Sequence, residues 1–281
     1  MKAGEQSPGS KPLTLGDLRA MRESGEPIAC LTAYDSTFAV AQEAAGVDLI
    51  LIGDTLGMVV QGHDSTVPVR VDDIIYHTQC VTRAVRRPWV VADMPFLSVR
   101  SPQVAVEAAG RMMQEAGARM VKLEGGESQV AVTRALADQG IPVCGHLGLQ
   151  PQLVHKLGGF KVQGREEAAA QAIVDRACEL EQAGADMLLL ECVPNAVTQG
   201  VVAATSVPVI GIGAGPHAHG QILVMHDMLG VTAGRKPRFV KNYMAEAGGV
   251  EAAFASYVGE VKAAHTRSPR TDSDETDPDN P

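Results

Sequence analysis

The sequence is short of positive charge. Lys and Arg number 24 against 33 Asp and Glu, a formal net charge of −9 over 281 residues. Nucleic acids and anionic membrane surfaces both select a basic footprint, so neither is an expected partner and small-molecule substrates fit better. Long apolar runs are also missing. None is long enough to span a bilayer, and the opening MKAGEQSPGSKP lacks the apolar segment of a signal peptide, so a cytoplasmic protein without membrane association is expected. Aromatic residues make up only 4% of the chain; with 45% hydrophobic residues, the core must be built from Ala, Val, Leu, Ile and Met. Cysteines are few and odd in number, at five. Cys30, Cys144 and Cys192 fall inside apolar strand-like runs, which argues against a disulfide framework and for small buried hydrophobes.

What is present is a repeated local pattern. AAGVDLILIGD (44–54), EAGARMVKLEG (115–125) and QAGADMLLLEC (182–192) each read as an alanine-rich helix end, a glycine suited to the left-handed C′ position, a short connection and a buried strand. Further strands are expected at 28–35, 89–96, 141–148, 207–215 and 221–227, which makes eight. Helices are expected between them, as in SPQVAVEAAGRMMQEAG, where Ser101 can cap and Pro102 suits the first helical position, and at 165–184. Nearly continuous apolar strands alternating with helices imply a parallel sheet covered on both faces. Eight of them predict an α/β fold, a single-domain (β/α)8 TIM barrel over residues 13–265. The flanks are expected to be a flexible N-terminus at 1–12 and a disordered tail at 266–281, where five acids meet two arginines and no apolar anchor.

In such barrels the active site forms at the C-terminal strand ends. Polar residues at those positions are Asp35, Asp54, Asp93, Lys122 with Glu124, His146 and Glu191. Acids dominate. Several carboxylates converging on one mouth repel one another unless a cation joins them, and oxygen donors of this kind suit Mg²⁺. Asp54 and Asp93 are the leading ligand candidates; the alternative is that each only caps the following helix. Lys122 and Glu124, two residues apart on a strand, point to one face. Either they pair with each other, or Lys122 meets an anionic substrate while Glu124 serves the metal site. Glu191 ends an otherwise apolar strand and is a candidate general base, with a cap or salt bridge as its competitor. His146 either hydrogen-bonds a carboxylate or holds structure alone. The glycines of GIGAG (211–215) do not make a dinucleotide fingerprint, since Pro216 stands where a glycine is required; here backbone can instead approach a ligand closely.

Taken together, LTAYDSTFA, GDTLGMVVQGHDST, ADMPF, VKLEGG, PVCGHLGLQPQ, GGFKVQGR, LECVP and GIGAGPHAHGQILVMHD resemble the ketopantoate hydroxymethyltransferase family, in order, from about residue 13 to about 260. The resemblance implies a (β/α)8 enzyme of pantothenate and coenzyme A biosynthesis. Such an enzyme adds a one-carbon unit from 5,10-methylenetetrahydrofolate to 3-methyl-2-oxobutanoate, with Mg²⁺ as the metal. It implies that Asp54, Asp93 and Glu124 belong to the metal site and that Asp54, Thr55, Asp93, Lys122 and His146 contact substrate. Glu191 becomes the proton acceptor, and a homo-oligomer, decameric as in the family, is implied. Thr55 stands where the family often has Ser, and PHAH (216–219) departs from the usual continuation of GIGAG.

Two other functions compete with this one. A Mg²⁺-dependent lyase or mutase of 2-oxo acids on a related barrel can carry a catalytic cysteine within CGH, a tripeptide present here at 144–146; the preceding IPV reads as strand rather than mobile loop. The other competitor is a barrel that binds a metabolite without turning it over.

Overall fold

The computed structural model describes residues 11–126, 128–233 and 237–263. Residues 1–10 of the expected flexible N-terminus, and the expected disordered tail at 266–281, lie outside the described residues. Eight parallel strands close into a barrel in sequential order. They are β1 (Ile28–Thr32), β2 (Leu49–Ile52), β3 (Trp89–Met94), β4 (Met120–Leu123), β5 (Val143–Gly148), β6 (Met187–Glu191), β7 (Val209–Ile212) and β8 (Gly220–Leu223). β8 pairs back onto β1, with Ile28 opposite Gly220 and Leu31 opposite Leu223. The chain forms a single-domain (β/α)8 barrel, as the alternation of strands and helices predicts.

Strand side chains alternate between two destinations. Ala29, Leu31, Ile50, Ile52, Val90 and Ala92 face outward and pack with the surrounding helices. Ile28, Cys30, Leu49, Leu51, Trp89, Val91, Met120, Cys144, Met187 and Leu189 face inward and fill the barrel. Leu18 and Met21, from the helix Leu15–Ser24, join the inner set and plug the N-terminal end. That helix starts on a reciprocal capping box: Thr14 Oγ1 accepts from the Asp17 N–H, and an Asp17 carboxylate oxygen accepts from the Thr14 N–H.

Local sequence signals account for the connections. Gly46, Gly117 and Gly184 adopt φ of 88°, 74° and 104°, the left-handed values expected of the glycines in the repeated αβ pattern. Ser101 Oγ accepts from the Val104 N–H at the start of the helix Pro102–Gln114, and the region read as helical at 165–184 forms Glu167–Gln182. The strands are shorter than the expected runs: β3, β5 and β7 fill only part of 89–96, 141–148 and 207–215, and two further differences have a local cause. β1 stops at Thr32, because Asp35 turns the chain by capping the helix Ser36–Ala44. The run 221–227 leaves the sheet after Leu223 and coils into the short helix Met225–Met228. All five cysteines are free; Cys30 and Cys144 are buried, whereas Cys80, Cys178 and Cys192 are only half-buried. Among the described residues no helix is long and apolar enough to cross a membrane.

Candidate active site

The inward parity that fills the barrel also builds its C-terminal mouth. Trp89 and Val91 lead to Asp93, Met120 leads to Lys122 and Glu124, Cys144 leads to His146, and Met187 and Leu189 lead to Glu191. Asp54 follows β2 by two residues. Strand register sets the lateral order, with Asp93 beside Lys122, His146 beside Leu189 and Gly148 beside Glu191. Side chains distant in sequence thereby meet above one apolar floor.

Asp54, Asp93 and Glu124 each place a carboxylate oxygen within 4.8 Å of the others, and all three are buried. Lys122 Nζ lies 2.9 Å from Asp93 Oδ2 and 3.0 Å from Glu124 Oε1. Both readings of the Lys122 and Glu124 pair therefore remain physically open, since the two residues do pair and do so inside the acidic cluster. Asp54 also donates its backbone N–H to Asp93 Oδ2 (3.0 Å). Burial, then the charges of Asp93 and Glu124, push the Asp54 carboxyl well above its ordinary range. Burial also raises Asp93, although Lys122 opposes it. Burial works on Glu124 in the same direction, yet Lys122 and His146 overcome it and bring that carboxyl down to about 2.

His146 links this cluster to Glu191. Its Nδ1 is 3.3 Å from Glu124 Oε1 and its Nε2 is 3.3 Å from Glu191 Oε2, the latter outside hydrogen-bonding geometry. Burial and Lys122 lower the imidazole's affinity for a proton, but Glu124 and Glu191 outweigh them and raise it overall. Glu191 differs from its neighbours. Its side chain keeps 18% of its exposure, so the fully enclosed setting suggested by the apolar strand is not what forms. Close packing holds it in place: a Cβ on Gly148 (φ 89°) would come within 2.2 Å of the Glu191 carbonyl oxygen. Thr55 is half-buried next to Asp54 and makes no capping hydrogen bond.

Asp35 is the one member of the polar set whose interactions are those of a cap, its Oδ1 accepting from the Thr37 and Phe38 N–H groups at 2.8 and 3.0 Å. The expected close approach at GIGAG is made by the protein itself, since the Phe239 ring lies against Gly213.

Strand-end reasoning missed the glutamines. Gln152 sits in the turn Pro151–Leu153; its Nε2 donates to Asp54 Oδ2 (2.8 Å) and to the Met94 carbonyl (2.9 Å), and its N–H donates to Glu124 Oε2 (3.0 Å). Gln150 and Gln129 both donate to the His146 carbonyl, at 2.8 and 3.2 Å. The signal was present in GLQPQ, where two glutamines flank a proline just past a strand.

Residues 12–266 match the ketopantoate hydroxymethyltransferase family. The chain belongs to that family. It is 58% identical over 251 residues to the 3-methyl-2-oxobutanoate hydroxymethyltransferase of Halorhodospira halophila, covering 89% of this chain and 91% of that protein. The protein of the same name from Alkalilimnicola ehrlichii is 54% identical over 263 residues, covering 94% and 95%. The chain is therefore an enzyme of the hydroxymethyltransferase class. Among solved structures it resembles a phosphonopyruvate hydrolase determined with oxalate and Mg²⁺ (16% identity, TM-score 0.56, 75% of this chain and 80% of that one). It also resembles 2,3-dimethylmalate lyase of the PEP mutase/isocitrate lyase superfamily (16%, 0.54, 74% and 80%). At such identities the likeness is one of fold alone. The cysteine of CGH separates this chain from the lyase alternative: Cys144 is part of β5, 3% exposed, packed in the barrel interior, and burial pushes its thiol up to about 12.

Proposed function

We propose that the chain transfers a one-carbon unit from 5,10-methylenetetrahydrofolate to 3-methyl-2-oxobutanoate, giving 2-dehydropantoate for pantothenate and coenzyme A synthesis, with Mg²⁺ as the resident metal. The observation that carries this reading is the buried triad of Asp54, Asp93 and Glu124 beside a single ammonium. Three carboxylates face one ammonium, an excess of acid that a divalent cation offsets. All three donors are carboxylate oxygens, the preference of Mg²⁺, and Asp93 Oδ1 is buried without a hydrogen-bond partner. The residues fit the ion. Asp54 and Asp93 are the direct ligands in this proposal, while Glu124, already engaged by Lys122 and the Gln152 N–H, acts through water.

When bound, the cation supplies positive charge at the carbonyl oxygen of the oxo acid and so acidifies the neighbouring C3–H. Glu191, the most accessible acid of the group, takes the C3 proton. The electron pair left behind forms the new carbon–carbon bond to the one-carbon unit while the two carbon–nitrogen bonds that held it to the folate break in turn. One water supplies the product's hydroxyl, and its other proton and the C3 proton go to the two folate nitrogens, so tetrahydrofolate leaves. His146, between Glu124 and Glu191, steadies the base and its proton. Lys122 balances the substrate carboxylate, Thr55 borders the same pocket, and the apolar floor of Leu51, Val91 and Leu189 limits water. The relatives named as 3-methyl-2-oxobutanoate hydroxymethyltransferases support the choice of substrate.

The test is a turnover assay with 3-methyl-2-oxobutanoate, methylenetetrahydrofolate and Mg²⁺, with 2-dehydropantoate as the expected product. Binding of the oxo acid without turnover would overturn the proposal in favour of a binding protein. Carbon–carbon cleavage of a larger acid without folate would overturn it in favour of a lyase.

A further inference from the structure

The triad, Lys122, His146 and Glu191 rise from one continuous arc, β2 to β6. In a closed ring of eight staves in sequential order that leaves β7, β8 and β1, so a ligand held by the arc has its remaining side facing those three. The residue that β1 sends there is Tyr34, two positions beyond the strand's last residue. Its side chain is 2% exposed, and its hydroxyl is buried without a hydrogen-bond partner. Thr32 is close enough to influence the phenol but not in hydrogen-bonding geometry with it, and Thr32 Oγ1 already accepts from the Met225 N–H (3.0 Å). The carboxylates within electrostatic reach of the hydroxyl are Asp54, Asp227 and Asp93, two of them from the triad.

A buried hydroxyl with no partner costs about 1–3 kcal/mol, so one retained at the rim of a polar pocket calls for an acceptor that the protein does not provide. The ring itself is well supported: His77 and His226 pack against it at centroid distances of 6.3 and 5.6 Å, and His77 Nδ1 is 2.7 Å from the Tyr34 carbonyl oxygen. Orientation is thus fixed while the hydroxyl is left over. Burial raises the phenol's pKa and keeps it a donor. A neutral donor on the β1 side of the mouth and an ammonium on β4 suit a small anion rich in oxygen that lies between them.

We propose that Tyr34 is a substrate-binding residue whose hydroxyl donates a hydrogen bond to an oxygen of the bound 2-oxo acid. The assignment rests on the function proposed above. It places a substrate contact just past β1, outside the arc that carries the triad, Lys122, His146 and Glu191.

The test is Tyr34→Phe, which keeps the ring and its two histidine neighbours. Calorimetry with 3-methyl-2-oxobutanoate at saturating Mg²⁺ and without folate should show Kd weakened about 10- to 100-fold, the range for a hydrogen bond to a charged acceptor. The Kd for Mg²⁺ alone should not change, and the melting temperature should hold or rise, since an unsatisfied donor has been removed. A Kd and kcat/KM for the oxo acid equal to the parent's would overturn the role of Tyr34 and leave the proposed function standing. Failure of the parent to bind the oxo acid would overturn both. A melting temperature that falls together with the Mg²⁺ affinity would show that the hydroxyl serves the fold, and would also overturn the assignment.

Discussion

β2 carries an aspartate at each end, and the two have opposite surroundings. Asp48, just before the strand, is 0% exposed and saturated with partners: Arg87 at 2.8 Å, Lys262 at 2.7 Å and the Ala29 N–H at 3.0 Å. Asp54, just after it, is 1% exposed and surrounded by acids, with Gln152 as its one side-chain hydrogen-bond donor. Burial and residue type are the same; only the sign of the company differs. At the N-terminal end the chain supplies its own cations and so ties the loop before β3, which bears Arg87, and the helix Val250–Ala263, which bears Lys262, to the sheet. At the C-terminal end Lys122 is set against three carboxylates and pairs with Asp93 and Glu124, which leaves Asp54 without a paired cation and is costly unless something cationic arrives. Under the proposed function the two ends of the barrel divide the work between holding the fold and holding a ligand.

The largest effect should come from the C-terminal end and leave stability untouched. Glu191→Gln keeps size and removes the proposed base, so kcat should fall roughly 10²- to 10⁴-fold. Deuterium uptake at C3 of 3-methyl-2-oxobutanoate, followed by NMR with Mg²⁺ and without folate, should fall in parallel, while binding of the oxo acid persists. If exchange continues at the parental rate after turnover is lost, another group takes the proton and Glu191 acts later.

Asp54→Asn should separate function from stability most clearly. Loss of the charge of a proposed ligand should weaken apparent Mg²⁺ affinity by at least ~10- to 100-fold, the effect typical of the groups that merely support metal ligands. The metal-free variant should nevertheless melt higher than the metal-free parent at neutral pH. The sign follows from the raised carboxyl of Asp54: the folded state holds that proton more tightly than the unfolded state, so ionisation above about pH 4 disfavours folding. The variant's advantage should therefore grow as pH rises from about 5 to 8 and shrink when Mg²⁺ is added to both. A metal-free variant less stable than its parent across that range would mean that Asp54 is compensated as Asp48 is.

Asp48→Asn is the reverse case. It strips a carboxylate from Arg87 and Lys262, which are 26% and 28% exposed and can recover water, so the cost is a discounted about 1–3 kcal/mol, or a few degrees in melting temperature. Turnover per folded molecule should be unchanged. A loss of kcat without a loss of stability would break the division between the two ends.

Period-two alternation explains how much of this was legible in the sequence. Lys122 and Glu124 share parity with Met120, and Asp93 with Val91, so any reading that found the strands also found those mouth residues. Gln152 was not legible by that rule, because it lies past the end of β5 and reaches the acidic cluster through a turn whose direction depends on tertiary packing. Glu191 was found, but its 18% exposure depends on how neighbouring loops cover the mouth, which strand composition does not encode. Cys144 was read as strand rather than reactive loop because IPV precedes it, and β5 does run through it.

Asp35 carries the smallest prediction and sharpens the comparison between strand ends. It too is an aspartate following an apolar strand, yet its Oδ1 accepts two backbone N–H bonds at the start of Ser36–Ala44. Those bonds give it the partners that Asp54 lacks, and its role is to satisfy helix donors that would otherwise have none. Asp35→Ala should cost ~1 kcal/mol, while Asp35→Asn, an equally good cap, should cost almost nothing. Both variants should keep the parent's Mg²⁺ affinity, since the carboxylate is spent on the backbone and adds nothing to the cation site. Thermal melts and Mg²⁺ titrations of the pair would check this. If the Asn variant lost metal affinity while keeping its melting temperature, Asp35 would have to be moved from the cap to the mouth, and the test for reading a strand-end aspartate would become its charge rather than its hydrogen-bond partners.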